Sequence, residues 1–276
     1  MVLSDIVIIL CRASEPGNVG AVCRVMKNMG LSQLRLVAPA SLDEAPLLAR
    51  TVHAEDVWRN ARFFDTLASA TADCSLVIGT TRRRGRKRKN ASMEPRALAA
   101  WLGTRPVAQG AAPDAAPVAL VFGNERTGLD DDELNLCGIA SHVPVSGAFP
   151  SLNLSHAVQI YAYELFLAFG GTADNSDSPG SPGGGSESGT PNAVKGEWVP
   201  LTREAADALT ADITGVLAEL GFYKHPGRAE QTRFLRDLIC RAALTEKEGR
   251  YLKDIFAKAA RLGDRQGGRL SDRVID

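Results

Sequence analysis

Short apolar runs alternate with amphipathic segments over the first 169 residues of the chain. Runs rich in Val, Ile and Leu that end at Gly, Pro or polar residues are typical of strands buried on both faces. The predicted strands are Ile6–Leu10, Leu34–Val37, Ser75–Gly79, Val118–Phe122 and a weaker fifth, Ser141–Val145. Because helical patterns separate these runs, they predict an α/β fold with a parallel sheet that helices cover on both faces.

Three helices are predicted in the same part of the chain. The first presents apolar residues at i, i+3, i+4 and i+7 from Val22 to Met29, with Asn18 as its cap and Gly30 at its end. The other two are predicted over Asp130–Cys137 and Leu152–Phe169. Ser151 is a suitable N-cap for the last of them, which is long and strongly apolar.

A change of composition marks the end of this part. Residues 170–196 contain eight Gly, five Ser and three Pro and offer almost no apolar surface to bury. Such a segment cannot offset the entropy lost on ordering, so a flexible linker is predicted. The chain is therefore expected to consist of a first domain over 1–169, a linker over 170–196 and a second domain over 197–276.

The second domain shows helical patterns and no strand pattern. One helix is expected from Thr202 to a stop at Gly221, and two more follow over about 227–243 and 246–262. Between Lys224 and Arg273 basic residues outnumber acidic ones 13 to 7. A small, basic, all-α domain is the prediction.

Charge and cysteine content narrow the class of protein. The 32 basic residues equal the 32 acidic ones, but seven of the basic residues lie between Arg82 and Lys89. The five cysteines are scattered and have no CxxC spacing, which argues against a disulfide framework and a structural zinc site. No apolar run is long enough for a signal peptide or a membrane span. We therefore expect a cytoplasmic protein that needs no metal and does not contact membranes.

The loops that follow the predicted strands carry the candidate chemistry, because ligands of parallel sheets bind at the carboxyl ends of the strands. Taken singly, each loop also fits a purely structural role, as a capped helix with a surface arginine or as a tight turn. The three segments read Asn-Val-Gly-Ala-Val-Cys-Arg-Val-Met-Lys-Asn-Met-Gly over 18–30, Phe-Gly-Asn-Glu-Arg-Thr-Gly-Leu over 122–129 and Pro-Ser-Leu-Asn-Leu-Ser over 150–155.

In order and spacing, these three segments closely resemble the three motifs of the SpoU branch of the SPOUT RNA methyltransferases. Beyond the linker, Gly221–Gly227 and Arg233–Arg236 are similar to the C-terminal domain of the TrmJ type of this family. The resemblance implies that the sheet ends in a deep trefoil knot, an exception to the usual unknotted connections. It also implies that S-adenosylmethionine binds in the knot and that a homodimer completes the active site.

The resemblance further implies the reaction, which is methyl transfer to the 2′-hydroxyl of a ribose in tRNA, at nucleotide 32 of the anticodon loop. The residues expected to contact S-adenosylmethionine are Thr80, Thr81, Gly123, Val143, Pro150, Ser151 and Leu152. The expected catalytic residues are Asn18, Arg24, Glu125, Ser151 and Asn153. Because an arginine stays protonated, we interpret Arg24 as a stabiliser of charge on the ribose oxygen, and the proton acceptor is left open.

A basic segment directly follows Thr80 and Thr81. Its cations are Arg82, Arg83, Arg84, Arg86, Lys87, Arg88 and Lys89. Such a run is often only a solvated loop, but beside an RNA active site it favours contact with phosphates. Loops of the TrmJ type are usually less basic, and this departure leaves the exact RNA open.

Other functions are compatible with parts of the same pattern. The same chemistry on ribosomal RNA is the first alternative, and a non-catalytic RNA-binding knot protein is the second. A nucleotide-dependent oxidoreductase is disfavoured because no G-x-G-x-x-G follows the first strand. Outside the motifs, His156 is expected to be a packing residue and Cys23 a small buried thiol.

Overall fold

The computed structural model describes residues 2–82, 92–104, 116–148, 150–170, 199–223 and 228–265. The strands are β1 Ile6–Cys11, β2 Gln33–Val37, β3 Arg62–Phe64, β4 Leu76–Thr80, β5 Ser92–Met93, β6 Val118–Phe122 and β7 Ile139–Ser141. The helices are α1 Pro16–Asn28, α2 Glu44–Thr51, α3 Glu55–Arg59, α4 Leu67–Ala70, α5 Pro95–Gly103, α6 Asp131–Leu136, α7 Leu154–Phe169, α8 Arg203–Glu219, α9 Arg228–Ala242 and α10 Glu246–Arg265. A short 3₁₀ helix, Leu3–Asp5, precedes β1.

The strands form one seven-stranded sheet in the order β3-β2-β1-β6-β4-β7-β5. Every pairing in it is parallel. At the centre, Leu10 of β1 lies opposite Phe122 of β6, and Gly79 of β4 lies opposite Val121. The carboxyl ends of β1, β4 and β6 therefore lie side by side at one edge of the sheet.

Two apolar clusters cover the two faces of the sheet, because successive side chains of a strand point to opposite faces. Ile6, Ile8 and Leu10 of β1 belong to the cluster with α1, α5 and α7. The intervening Val7 and Ile9 belong to the cluster with α4 and α6. The predicted α/β sheet with helices on both faces is confirmed.

The last three helices share a third apolar cluster, in which Leu209 and Ile213 of α8 meet Ile239 of α9. The first turn of α8 also joins the sheet domain. Arg203 is largely buried, its backbone N–H donates to the carbonyl of Cys74 at 2.6 Å, and its guanidinium donates to the carbonyl of Ala68 at 2.8 Å. These helices thus have a packed core of their own and a defined attachment beside the amino end of β4.

The structure corrects several predicted boundaries. The fifth strand is β7, which ends at Ser141 instead of beginning there. Helix α1 begins at Pro16 with Glu15 as its N-cap residue, so Asn18 lies inside the first turn and is not the cap. Helix α7 begins at Leu154, two residues later than predicted, and its cap is Asn153 rather than Ser151.

Some elements were not predicted at all, and some predictions stay open. Short elements such as β3 and β5 contain three and two residues, too few to show a period. The linker over 170–196 lies outside the described residues except for Gly170. The knot and the division into two domains stay predictions. Within the described ranges, no helix combines the length and hydropathy that crossing a membrane requires.

Candidate active site at the carboxyl edge of the sheet

A cavity opens where β4 and β6 end, between the loops that follow them and the first two turns of α7. The seven residues that the family resemblance assigns to the cofactor all line it, namely Thr80, Thr81, Gly123, Val143, Pro150, Ser151 and Leu152. Four segments that are distant in sequence are therefore brought to one place. The fold accounts for this convergence, since the preceding strands are parallel neighbours and end at the same edge.

The loop after β6 forms one whole side of the cavity, with every residue from Gly123 to Leu129 in its lining. The loop closes on itself, because the N–H of Gly128 donates to the carbonyl of Asn124 at 2.8 Å. Gly123 must be glycine here: a Cβ at this position would lie 2.0 Å from the carbonyl carbon of Gly128. Gly128 has a φ of +70°, in the left-handed region that glycine adopts without strain.

Glu125 is the centre of a polar network that joins this loop to the start of α1. One carboxylate oxygen accepts the hydroxyl of Ser14 at 3.1 Å and its backbone N–H at 3.3 Å. The other accepts the side-chain amide of Asn18 at 3.3 Å and the backbone N–H of Glu15 at 3.3 Å. Asn18 and Glu125, both predicted as catalytic residues, are therefore in direct contact.

Asn153 extends the network to α7. Its Nδ2 donates to Oδ1 of Asn18 at 2.8 Å. Its Oδ1 accepts the backbone N–H of Ser155 at 2.9 Å, which caps the helix. One asparagine thus fixes the start of α7 and holds the Asn18 side chain against Glu125. Residues of all three motifs are linked by these hydrogen bonds.

Of the predicted catalytic residues, Glu125 and Ser151 line the cavity, whereas Asn18, Asn153 and Arg24 do not. Arg24 also takes no part in the hydrogen bonds that join Asn18, Glu125 and Asn153. It lies on an exposed side of α1, two turns into the helix, and is not among the residues that line the cavity. Its predicted catalytic role is therefore not explained by the cavity of a single chain. If Arg24 contacts a substrate at this cavity, it does so from outside the residues that line the cavity of its own chain.

Tyr161 of α7 and Phe122 of β6 form a buried part of the cavity wall that sequence reasoning missed. Their rings meet edge to face with centroids 5.6 Å apart. The Tyr161 hydroxyl donates to Oγ of Ser141 at 2.9 Å, and Ser141 Oγ donates to the carbonyl of Met93 at 2.7 Å. Burial raises the pKa of Tyr161 above its ordinary value, which keeps the hydroxyl protonated as a donor. The apolar pattern of α7 in the sequence does not reveal that the Tyr161 hydroxyl makes this hydrogen bond.

The lining suits a nucleoside that carries a polar tail. Val143, Leu152 and Ala157 offer apolar surface, while Thr81 and the loop from Gly123 offer backbone and polar groups. The Thr80 hydroxyl donates to the carbonyl of Val121 at 2.9 Å, so it is held in the sheet. At Gly123, which has no side chain, only backbone atoms contribute to the lining. These features fit S-adenosylmethionine.

The remaining expectations about side chains have mixed outcomes. Burial raises the pKa of Cys23 to about 12, which agrees with a buried, unreactive thiol. His156 is exposed on α7, so its predicted packing role is wrong. In the basic segment Arg82 is exposed and lines the cavity. Its other cations, Arg83, Arg84, Arg86, Lys87, Arg88 and Lys89, lie outside the described residues.

Comparison with known proteins matches the sequence that forms this site to a family. The family model described as the SpoU rRNA Methylase family matches residues 5–163, which include the three motifs and the cavity. A tRNA (cytidine/uridine-2′-O-)-methyltransferase TrmJ of Salmonella choleraesuis is 41% identical over 258 residues, which cover 92% of this chain and 96% of that protein.

Two further relatives extend the likeness over most of the chain. A tRNA (cytidine/uridine/adenosine-2′-O-)-methyltransferase TrmJ of Pseudomonas aeruginosa is 33% identical over 260 residues, which cover 94% of this chain and 95% of that protein. The crystal structure of TrmJ from Z. mobilis superposes with a TM-score of 0.65 at 28% identity, covering 92% of this chain and 98% of that one. These likenesses include the helices after residue 199.

Proposed function

Because this chain belongs to the SpoU rRNA methylase family and is a ribose 2′-O-methyltransferase by its relatives, we propose that its substrate is tRNA. The proposed acceptor is the ribose of nucleotide 32 in the anticodon loop. The observation that carries the proposal is the hydrogen-bond network of Glu125, Asn18 and Asn153, which joins all three motifs beside one cavity that Glu125 lines. The relatives that match over most of the chain are tRNA methyltransferases by name.

The proposed methyl donor is S-adenosylmethionine. Val143 and Leu152 would wall its adenine, and backbone groups around Gly123 and Leu152 would bind it. When bound, it supplies a methyl group on a positively charged sulfur, which is already activated and needs no metal. The chain then has to align the ribose oxygen with this methyl group and to stabilise the charge that develops on the oxygen.

The network around Glu125 fits the aligning role. Ser14 and Asn18 hold the Glu125 carboxylate from one side, and Asn153 holds Asn18 from the other. Each of these groups has its rotamer fixed by a partner, so the polar wall is organised before a ribose arrives. Such preorganisation lowers the entropic cost of reaching a reactive geometry.

Arg24 enters this proposal through a second copy of the chain. Its exposed position on α1 allows it to reach the cavity of a partner subunit in a homodimer. The apolar sequence of α7 predicts dimer surface at Leu154, Val158, Ile160, Tyr161 and Leu165, but all of these except the half-buried Ile160 are buried within the chain. Tyr163 and Leu167, which are 47% and 51% exposed, provide apolar surface on that helix. We propose that this face of α7 and the adjoining α1 form the dimer.

Mixed dimers test the role of Arg24. Replacing Arg24 by Ala should reduce the methylation rate by roughly 10²–10³ while the affinity for S-adenosylhomocysteine stays unchanged. A second variant, Gly123→Ala, is expected to bind cofactor at least about 100-fold more weakly. Mixing the two variants should restore part of the activity, because one site of the mixed dimer is then complete. If mixing restores nothing while heterodimers form, Arg24 does not act across the interface.

The basic segment is proposed to bind phosphates without reading the sequence of the RNA. Arg82 at the cavity edge is its described member and supports this role. Replacing four of its cations by Ser should flatten the dependence of tRNA affinity on salt, by roughly 0.7–0.9 in slope for each phosphate that is no longer neutralised. An unchanged slope would leave the segment as a solvated loop.

A methylation assay with labelled S-adenosylmethionine tests the substrate. The full chain should transfer methyl to a tRNA transcript, and mass spectrometry of nuclease fragments should place the group on nucleotide 32. A transcript with a 2′-deoxyribose at that nucleotide is the matched control and should accept none. Methylation of ribosomal RNA instead would favour the first alternative, and binding of tRNA without transfer would favour a non-catalytic protein.

A further inference from the structure

Arg12 directly follows β1 and has an unusual backbone. Its φ is +54°, in the left-handed region that residues with a Cβ rarely adopt. Its N–H donates to the carbonyl of Val37 at 2.8 Å, which ties this strained residue to the end of β2. A strained, non-glycine residue at the edge of a site calls for an explanation from its contacts.

The side chain of Arg12 grips the far end of the loop that follows β6. Its Nη2 donates to the carbonyl of Gly128 at 3.0 Å, and its Nη1 to the hydroxyl of Thr127 at 3.4 Å. The same guanidinium forms a two-point ion pair with Glu133, at 2.9 Å and 2.6 Å. Glu133 is itself held, since it accepts the N–H of Asp130 at 2.8 Å in the capping box of α6.

The loop that follows β6 also contacts the backbone of Arg12. Nδ2 of Asn124 donates to the carbonyl of Arg12 at 2.7 Å. The Oδ1 of the same asparagine accepts the N–H of Arg126 at 2.9 Å, which shapes the turn. Arg12 therefore holds both ends of the loop, the start through its carbonyl and the end through its guanidinium.

Arg12 acts on the loop from outside the cavity, because it does not line the cavity although the whole loop 123–129 does. Its guanidinium side chain is 35% exposed, whereas that of its partner Glu133 is 12% exposed. The ion pair is thus partly shielded from water. Both acceptors of the guanidinium are held in place, the carbonyl of Gly128 by the turn of the loop and the carboxylate of Glu133 by the capping box of α6. Charge-assisted, two-point hydrogen bonds of this kind are the stronger ones in proteins.

We propose that Arg12 is a positioning residue that fixes the loop 123–129 in its binding shape and thereby sets the affinity for the methyl donor. The inference rests on the proposed function, since it takes this loop as the binding site of S-adenosylmethionine. Without Arg12 the loop has to be ordered when the cofactor binds, and that ordering weakens binding. The rate of the chemical step with cofactor bound should change little.

Calorimetry and steady-state kinetics on the full chain test the proposal. Arg12→Ala should weaken the binding of S-adenosylhomocysteine by about 10- to 100-fold, the range for removal of a hydrogen bond to a charged group. The KM for S-adenosylmethionine should rise with it, while kcat at saturation stays within about twofold. Arg12→Lys keeps the positive charge but loses the two-point hydrogen bonding of the planar guanidinium. Its affinity for S-adenosylhomocysteine should lie between those of the wild type and Arg12→Ala. Lys253→Ala, which removes an exposed ion pair with Asp212, is the matched control and should bind as the wild type does.

The outcomes separate the possible roles. If Arg12 only contributed to folding, the variant would show fewer binding sites per chain and a lower Tm, but an unchanged Kd. An unchanged Kd in a folded variant, or a loss confined to kcat, would overturn the proposal. Should Arg12→Ala not fold, Arg12→Lys carries the same test. Failure of the wild-type chain to bind S-adenosylhomocysteine would instead overturn the proposed function.

Discussion

The two ends of the parallel strands use arginines in opposite ways. At the carboxyl edge, Arg12 shapes a loop around an open cavity, and its side chain is 35% exposed. Near the amino end of β4, Arg35 and Arg203 are 3% and 9% exposed at their side chains. Both donate hydrogen bonds to carbonyls at the C-terminal end of α4: Arg35 to that of Ala70, and Arg203 to those of Ala68 and Thr71.

The two edges differ because different polar groups need hydrogen-bond partners at each. The end of a helix leaves carbonyls without partners inside the helix, and cations there satisfy them and interact well with the helix dipole. Near the amino end of β4, Arg35 and Arg203 donate hydrogen bonds to these carbonyls, and α8 packs beside them. At the carboxyl edge, loops replace helix ends, and polar groups such as those of Thr81 and Glu125 face a cavity. Stability is therefore concentrated at one edge and binding at the other.

Gly123→Ala should give the largest effect and should change binding. The new Cβ would lie 2.0 Å from the carbonyl carbon of Gly128 and 2.1 Å from the backbone nitrogen of Leu129, so the loop must open. We expect the affinity for S-adenosylhomocysteine to fall by at least about 100-fold, measured by calorimetry.

Gly215→Ala provides the matched control for that change. A Cβ at Gly215 of α8 meets nothing within 4 Å, and alanine is the better helix former by up to about 1 kcal/mol. This variant should bind cofactor normally and be no less stable. Normal binding by Gly123→Ala would show that the loop does not form the cofactor site.

Arg203→Ala should have the next largest effect and should change stability at the other edge. Its loss leaves the carbonyls of Ala68 and Thr71 without their donor and breaks the ion pair with Asp207. We expect the free energy of unfolding to fall by about 2–3 kcal/mol in urea denaturation, with cofactor affinity unchanged. Lys253→Ala, in an exposed pair, should cost less than about 1 kcal/mol. Weakened cofactor binding in Arg203→Ala would contradict the separation of the two edges.

How much of this could be predicted from the sequence differs between the edges. Short apolar runs predicted β1, β2, β4 and β6, because that signal is local. The family resemblance carried by the three motifs identified seven of the residues that line the cavity. The contacts of Arg12, Arg35 and Arg203 were not predictable, since each joins residues that only the fold brings together. Arg12, for example, meets Glu133 across 121 positions of the chain. A capping role was misassigned to Ser151 because it and Asn153 are both good caps and stand two residues apart.

A pair of substitutions at Asn153 should have a smaller effect and tests whether one residue serves both stability and function. Asn153→Ala removes the cap of α7 and the donor to Asn18, so it should cost about 1 kcal/mol of unfolding free energy. Asn153→Ser keeps a capping oxygen and loses only the donor, so it should be as stable as the wild type. Both should lower the methylation rate about 3- to 10-fold if the link to Asn18 matters. Full activity in both would remove the network from the mechanism.

The smallest expected effect is the response of the amino edge to acid. Arg35 donates to Asp73 at 2.5 and 2.8 Å, and this hydrogen bond holds the pKa of Asp73 below its ordinary value. A carboxylate whose pKa is lowered on folding stabilises the chain above its unfolded pKa of about 3.9, and that contribution is lost as the pH falls through the folded value.

Asp73→Asn removes the titrating group and tests this sign. The variant should be less stable than the wild type at pH 6, and the gap should narrow as the pH is lowered below about 4, because the wild type loses its ion pair there. Because the Asp73 side chain is 52% exposed, solvent screens the pair and the gap should be small. Urea denaturation at a series of pH values measures it, and cofactor affinity at pH 6 should be the same for both proteins. A gap that stays constant down to the lowest pH would mean that Asp73 stabilises this edge without its charge.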